Sequence, residues 1–487
     1  MEESPTTPIE SGAHSTARNA RQLAATGLRN DPRIAQAKTL LVAALEEHAA
    51  AVCEVRPPHE ELSRSYQELL TRLGHARGGT PVFPYLAAGL GHGPWVELGD
   101  GSVKLDFIGG IGVHGLGHSD PRMLAAGIDA ALEDTVMQGN LQQHPPSLYF
   151  CERLLALARG SGAPLEHCLL TTSGAMANEN ALKLALYHRY PADRVLAFEN
   201  AFAGRSLAMA ALTDRAKYRD RLPLTIDVDY LPFLDPADPA GSTRRALDRL
   251  QQYLERYPQR YAAFWAEAVT GEGGYYAGSH DFFAPLCSLL RNKGIPIIMD
   301  EVQTFGRLSR PFAFQHFELD PYVDIVTVGK ITQVCATLYR TEMKPQSPIL
   351  SQTFTGASSS IACGLAVLDA FESSHCFGPS GSNMRLHAEF VQRLEQLGKE
   401  FPGLVRGPYG CGMMLAWTPA DGSAETAKWI VDTMYAEGLI GFICGSDPTR
   451  VRFLPPPCAT AVEHFDVACE VMRRTLKRFQ EEKSKGE

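Results

Sequence analysis

Two apolar runs in the middle of the chain end in charged residues. Ile295-Pro296-Ile297-Ile298-Met299 leads into Asp300-Glu301-Val302-Gln303, and Asp324-Ile325-Val326-Thr327-Val328 leads into Gly329-Lys330. Short apolar, β-branched runs of this kind read as buried strands, and in an open parallel sheet ligands sit at the C-terminal strand ends. A carboxylate and an amine at adjacent strand ends suit pyridoxal phosphate. The lysine forms a Schiff base, and the carboxylate keeps the pyridine nitrogen protonated so that the ring draws electrons. Taken singly, Asp300 reads as a strand-end cap and Lys330 as a solvated amine. A third element changes that balance. Thr171-Thr172-Ser173-Gly174-Ala175 follows another apolar run and opens a helical stretch from Met176 to Arg189. Free amides at a helix start, with a serine hydroxyl beside them, form a phosphate cradle, and Ser173 serves equally as an N-cap.

Several elements must position these groups. Apolar runs at 168–172, 195–199, 226–231, 262–269, 295–302 and 325–328 alternate with helical stretches. That rhythm predicts an α/β fold, a mostly parallel sheet covered by helices on both faces. Beyond the turn-rich Gly378-Pro379-Ser380-Gly381-Ser382 come a helix, short strands near 412–417 and 451–454, and a closing helix at 461–480, which read as a smaller α/β domain. Residues 31–73 look helical, broken at Pro57-Pro58. Glycine turns follow at 78–79 and 89–93, then a hairpin pattern over 95–98 and 103–107. The expected organisation is a disordered start at 1–30, a helical extension at 31–95, a large domain at 96–375 and a small domain at 376–487.

Composition narrows the function classes. A hydrophobic fraction of 45% over 487 residues supports a large core. The net charge of −9 and the absence of basic runs argue against nucleic acid, leaving small molecules as partners. The eleven cysteines are scattered without a Cys-x-x-Cys pair, so neither a zinc site nor a disulfide framework is expected, and reduced thiols fit a cytoplasmic protein. No secretory signal reads in the first thirty residues and no apolar run is long enough to span a membrane, so no membrane role is expected.

Ordered blocks from about Leu105 onward resemble the class III aminotransferases, pyridoxal phosphate enzymes of fold type I. They include Leu105-Asp106-Phe107 to Gly117-His118, Ser173-Gly174-Ala175 with Ala177-Asn178-Glu179, Phe202-Ala203-Gly204-Arg205-Ser206, and Glu267 with Gly271-Glu272-Gly273-Gly274. Asp300-Glu301-Val302-Gln303-Thr304, Gly329-Lys330, Thr353-Phe354 and Arg452-Phe453 with Pro455-Pro456 follow in order. The resemblance implies a mostly parallel sheet of the seven-stranded type. It implies that Lys330 binds the cofactor and moves protons, that Asp300 pairs with the ring nitrogen, that Gln303 approaches the ring hydroxyl and that Phe202 stacks on the ring. Glu267 would join the cofactor site, and Ser173, Gly174 and Ala175 would hold the phosphate with Thr353 of a neighbouring subunit, which requires a homodimer. Arg452 would meet the keto-acid carboxylate, with Glu272 pairing to it when another substrate is bound.

The stretch Gly329-Lys330-Ile331-Thr332-Gln333-Val334-Cys335 and the turn Gly204-Arg205-Ser206 resemble lysine 6-aminotransferases most, where the arginine contacts the substrate carboxylate. Ala203, Ala268, Met176 and Thr355-Gly356-Ala357 depart from the usual family residues. The leading expectation is transfer of a terminal amine, from lysine or a related long-chain donor, to a keto acid such as 2-oxoglutarate. The alternatives are a mutase, racemase or decarboxylase of the same family, or an inactive binding relative.

Overall fold

The computed structural model describes residues 23–486. At its centre lie seven strands: β1 (His167–Thr171), β2 (Arg194–Phe198), β3 (Asp227–Leu231), β4 (Tyr261–Ala266), β5 (Ile297–Asp300), β6 (Ile325–Val328) and β7 (Cys335–Tyr339). Their order across the sheet is β1-β7-β6-β5-β4-β2-β3. All run in one direction except β7, which is antiparallel to both of its neighbours. The fold is the expected α/β one. β4, β5 and β6 are buried at every position, as strands covered on both faces must be, which is why they appear in the sequence as unbroken apolar runs. β7 did not. It begins five residues after Lys330, too soon for a crossover helix, so the chain turns back through Gln333 at φ 63° and pairs as an antiparallel strand.

The strand Ala87–His92 replaces the glycine turn expected at 89–93. Gly91 is required there by proximity, since a Cβ would fall 2.4 Å from that of His118 and 2.5 Å from the carbonyl of Trp95. Together with Trp95–Leu98, Val103–Asp106 and the two-residue strand Leu439–Ile440 it forms a separate sheet. The expected boundary at 96 falls inside this sheet. Trp95, Leu105 and Phe107 share a core with Phe390, Trp417, Phe453 and Phe465 of the C-terminal segment. A strand of two residues carries too little periodicity to announce itself.

The C-terminal segment contains the helix Ser382–Glu400, the helix Val462–Gly486 and an antiparallel sheet of Val405–Cys411, Met414–Pro419, Arg450–Phe453 and Phe442–Cys444. At the other end, the helices Pro32–Ala49 and Glu60–Arg77 occupy the predicted helical stretch, the second running on past its expected end at Leu73. The expected disordered start falls mostly on residues 1–22, outside the described residues. Ala24–Arg29 is helical, and Arg29 pairs with Glu133. Among the described residues no helix is long and apolar enough to cross a membrane, and no cluster could hold a metal ion.

Candidate active site

Asp300 ends β5, opposite Thr327 of β6, and Lys330 lies three residues farther on. The sheet therefore brings the two together from positions thirty residues apart in sequence. Lys330 adopts φ 54°, the left-handed region that costs a non-glycine residue about 1 kcal/mol. The chain passes straight from that residue into the reversal that forms β7. Burial pushes the Lys330 amine down to about 8, opposing the pull of Glu272, Asp300 and Glu267, while Arg452 adds to the depression. All four charged groups act on this one nitrogen.

Asp300 is buried. One carboxylate oxygen accepts from the amide of Val302 at 2.8 Å and the other from Asn178 Nδ2 at 2.7 Å. Burial pushes its carboxyl up to about 6 against those hydrogen bonds and the field of Lys330. Glu267 is buried beside it, accepting from the Gly271 amide at 2.9 Å and the Phe202 amide at 3.3 Å. Burial, then the repulsion of Asp300, pushes Glu267 up to about 8. Two buried carboxylates facing a single amine leave the pocket short of positive charge, and a protonated pyridine ring fits that deficit.

The helix start expected to cradle a phosphate is formed. Ser173 caps the helix Gly174–His188, its hydroxyl accepting from the Met176 amide at 3.2 Å. The amides of Gly174 and Ala175 open the first turn, where a helix offers no carbonyl of its own. A Cβ on Gly174 would lie 2.8 Å from Val302 Cγ1, so the residue after Glu301 and the cradle share one space that only glycine fits. Phe202 is half-buried, edge-on to Tyr218 with ring centres 5.8 Å apart. Thr353 is exposed on this chain, and its neighbour Gln352 accepts from Thr171 at 2.6 Å, which fixes the segment to the end of β1.

On the other side of the lysine, Arg452 is fully buried on Arg450–Phe453 and forms an ion pair with Glu272. It also donates to Gln303 Oε1 at 3.4 Å. Burial raises the Glu272 carboxyl, but the charge and hydrogen bond of Arg452 outweigh it and hold Glu272 below its ordinary value. Gln303 is packed so closely on Gly271 that a Cβ there would be 2.7 Å from its amide. Arg205 stands apart. It is exposed, with its guanidinium 4.3 Å from the centre of the Tyr218 ring.

Three participants had no assigned role in the sequence. Asn178 holds Asp300 and also donates to the Ala203 carbonyl, while its oxygen accepts from Thr327 at 2.8 Å and Trp265 at 3.3 Å. Tyr275 is buried near Arg452 with its hydroxyl unpartnered among the described residues, and Arg215 donates to the Glu272 carbonyl at 2.7 Å. Asn178 lies in the stretch Ala177-Asn178-Glu179, and spacing alone does not say which way it faces.

Comparison with known proteins converges on one family. The sequence model for Aminotransferase class-III matches residues 76–476. An acetylornithine aminotransferase of Methanocaldococcus jannaschii is 29% identical over 75% of this chain and 87% of its own. A 2-aminoadipate transaminase of Pseudomonas putida is 33% identical over 75% of this chain and 90% of its own. The solved lysine aminotransferase from M. tuberculosis shares the fold with a TM-score of 0.71 and 24% identity, covering 84% of this chain and 99% of that one.

Proposed function

The chain belongs to the class III aminotransferases, with pyridoxal phosphate as cofactor, and we propose that it moves a terminal amino group from lysine or a related long-chain amine to 2-oxoglutarate. The observation that carries this reading is the buried Arg452–Glu272 pair acting on Lys330. A pocket that takes two unlike substrates in turn needs an arginine fork for the keto-acid carboxylate. It also needs a movable anion to mask that arginine when the donor is present. Curated relatives named for acetylornithine, succinylornithine and 2-aminoadipate support a long-chain amino acid as donor.

When bound, the cofactor supplies an electron sink beside the transferred nitrogen. In this reading Lys330 attaches it and moves a proton at Nζ, poised by an amine held near neutrality. Asp300 would pair with the ring nitrogen, Gln303 would approach the ring hydroxyl and Glu267 would join the site. Phe202 would stack on the ring, and Ser173, Gly174 and Ala175 would hold the phosphate. Arg205 meets the donor carboxylate.

The assembly in this reading is a homodimer in which Thr353 of one copy reaches the phosphate of the other. Exposed apolar side chains support it: Leu141 is 86% exposed, Phe354 64% and Leu148 55%, with Leu148 lining a cavity of about 650 Å³ shared with Ser351 and Gln352. Patches of this kind on a single chain mark interaction surfaces. All eleven cysteines are free, as in a reducing cytoplasm.

The test is a screen of terminal amines against 2-oxoglutarate, reading glutamate formed. Lysine-like donors are expected to give the fastest turnover. Glutamate formed only from α-amino groups, with none from terminal amines, would sink the donor assignment while leaving the family intact.

A further inference from the structure

The switch proposed above requires Glu272 to leave Arg452 whenever a substrate carboxylate takes its place. A carboxylate released inside a buried pocket needs another partner, because an unpaired buried charge is strongly destabilising. We infer that Arg215 is that partner, a positioning residue that receives the Glu272 side chain during the keto-acid half-reaction. This inference rests on the Glu272–Arg452 switch being real.

Arg215 is already in place. Its Nη2 donates to the backbone carbonyl of Glu272 itself at 2.7 Å, and the Gly445 amide donates to the same oxygen at 2.9 Å. Its Nε is buried with no acceptor, and among the described residues it forms no ion pair with a carboxylate. A buried guanidinium nitrogen without an acceptor calls for an occupant. The charge of Arg215 already helps hold the Glu272 carboxyl down. Arg205, by contrast, is exposed on Tyr218.

The loop around Glu272 is fixed, so the change falls to the side chain. Thr270 and Tyr276 exchange backbone and hydroxyl hydrogen bonds at 2.9 Å, and Tyr275 donates to the Thr270 carbonyl at 2.9 Å. Buried Arg450 donates to the Gly274 carbonyl and lies between two rings, 3.5 Å from the centre of Tyr409 and 4.2 Å from that of Tyr276. Such stacked cations are strongly held. With its carbonyl pinned by Arg215, Glu272 passes from Arg452 to Arg215 by rotation about its own side-chain bonds.

The experiment is a double-mutant cycle on the holoenzyme, with single-turnover rates for each half-reaction. Arg215→Met should slow the reaction with 2-oxoglutarate by about ten- to a hundredfold, the worth of one charge-assisted hydrogen bond. The donor half-reaction should stay near that of the unaltered protein. Arg215→Lys, which retains a cation, should recover part of the loss. In a Glu272→Ala background, where no side chain has to be received, Arg215→Met should have no further effect. If the loss persists in that background, or falls equally on both half-reactions, Arg215 is only a loop clamp and the inference is overturned. If Glu272→Ala alone affects both half-reactions equally, the switch itself fails and this inference falls with it. A selective Glu272→Ala effect that adds to Arg215→Met overturns the inference alone.

Discussion

Asn178 donates to Asp300 at 2.7 Å while its own oxygen is occupied by Thr327 and Trp265. Both ends of the amide are therefore committed, and its orientation is set by the strand next to the one that carries Asp300. That makes Asn178 a support for the charge of Asp300 rather than a contact to substrate. Loss of the donor removes a hydrogen bond that keeps the Asp300 carboxyl from rising further. Asn178→Ala should slow both half-reactions together, by about ten- to a hundredfold as for other orienting partners of a functional group. Asn178→Asp, which places a second anion there, should be worse. Single-turnover rates check this, and a loss confined to one half-reaction would contradict it.

Asp300→Asn should leave pyridoxal phosphate bound and slow both half-reactions by several orders of magnitude. An uncharged partner no longer holds a proton on the ring nitrogen, which is then a weaker electron sink. Cofactor content and single-turnover rates are the two measurements. Near-normal turnover would reduce Asp300 to a strand-end cap.

Lys330 gives a pH prediction. Its amine is held near 8 by burial. Below that value the nitrogen is an ammonium and cannot attack an aldehyde, and above it the nitrogen is neutral. The rate at which apoenzyme captures the cofactor should therefore rise about tenfold per pH unit toward 8 and then level off. Glu267 stabilises the ammonium, so Glu267→Gln should move the midpoint down. Stopped-flow absorbance follows the capture, and Lys330→Ala should give no adduct that borohydride fixes. A reducible lysine adduct in that variant would place the attachment elsewhere.

The parts of this site that were legible in the sequence are those set by strand ends. Asp300 and Lys330 each close an unbroken apolar run that is buried on both faces, so the end of the run marks their positions. Ser173 was legible for a similar reason, because a cap announces a helix start. The strand Cys335–Tyr339 was hidden by its short antiparallel return, and Leu439–Ile440 by its length. Asn178 and Arg215 act through contacts with residues 122 and 57 positions away, a relation that no local pattern contains.

Arg452 and Arg205 lie in unlike surroundings, one fully buried and paired, the other exposed on an aromatic ring. Arg452→Ala should weaken the keto-acid half-reaction most, through loss of a bidentate contact and the unpaired Glu272 left behind. Arg205→Ala should weaken the donor half-reaction more than the other. Equal losses in both halves for both variants would remove the physical support for a lysine-like donor.

Thr353 tests whether the site is shared between copies. It is exposed, next to Phe354 at 64% exposure, on a segment tied to β1 through Gln352. If it completes the phosphate cradle of a neighbour, then each active site takes Lys330 from one copy and Thr353 from the other. Lys330→Ala and Thr353→Ala homodimers should both be impaired, the first without activity and the second with weakened cofactor retention. Mixing the two variants under exchange conditions forms heterodimers. In each heterodimer one site carries both lesions and the other carries neither, so turnover and cofactor retention should recover in the mixture. If Thr353 instead served its own chain, every heterodimer would carry one lesion at each site. The Lys330→Ala chain would stay dead, the other would stay impaired, and mixing would restore nothing. A protein that turns over as a monomer at all dilutions would contradict the shared site more directly, and sedimentation under assay conditions measures that.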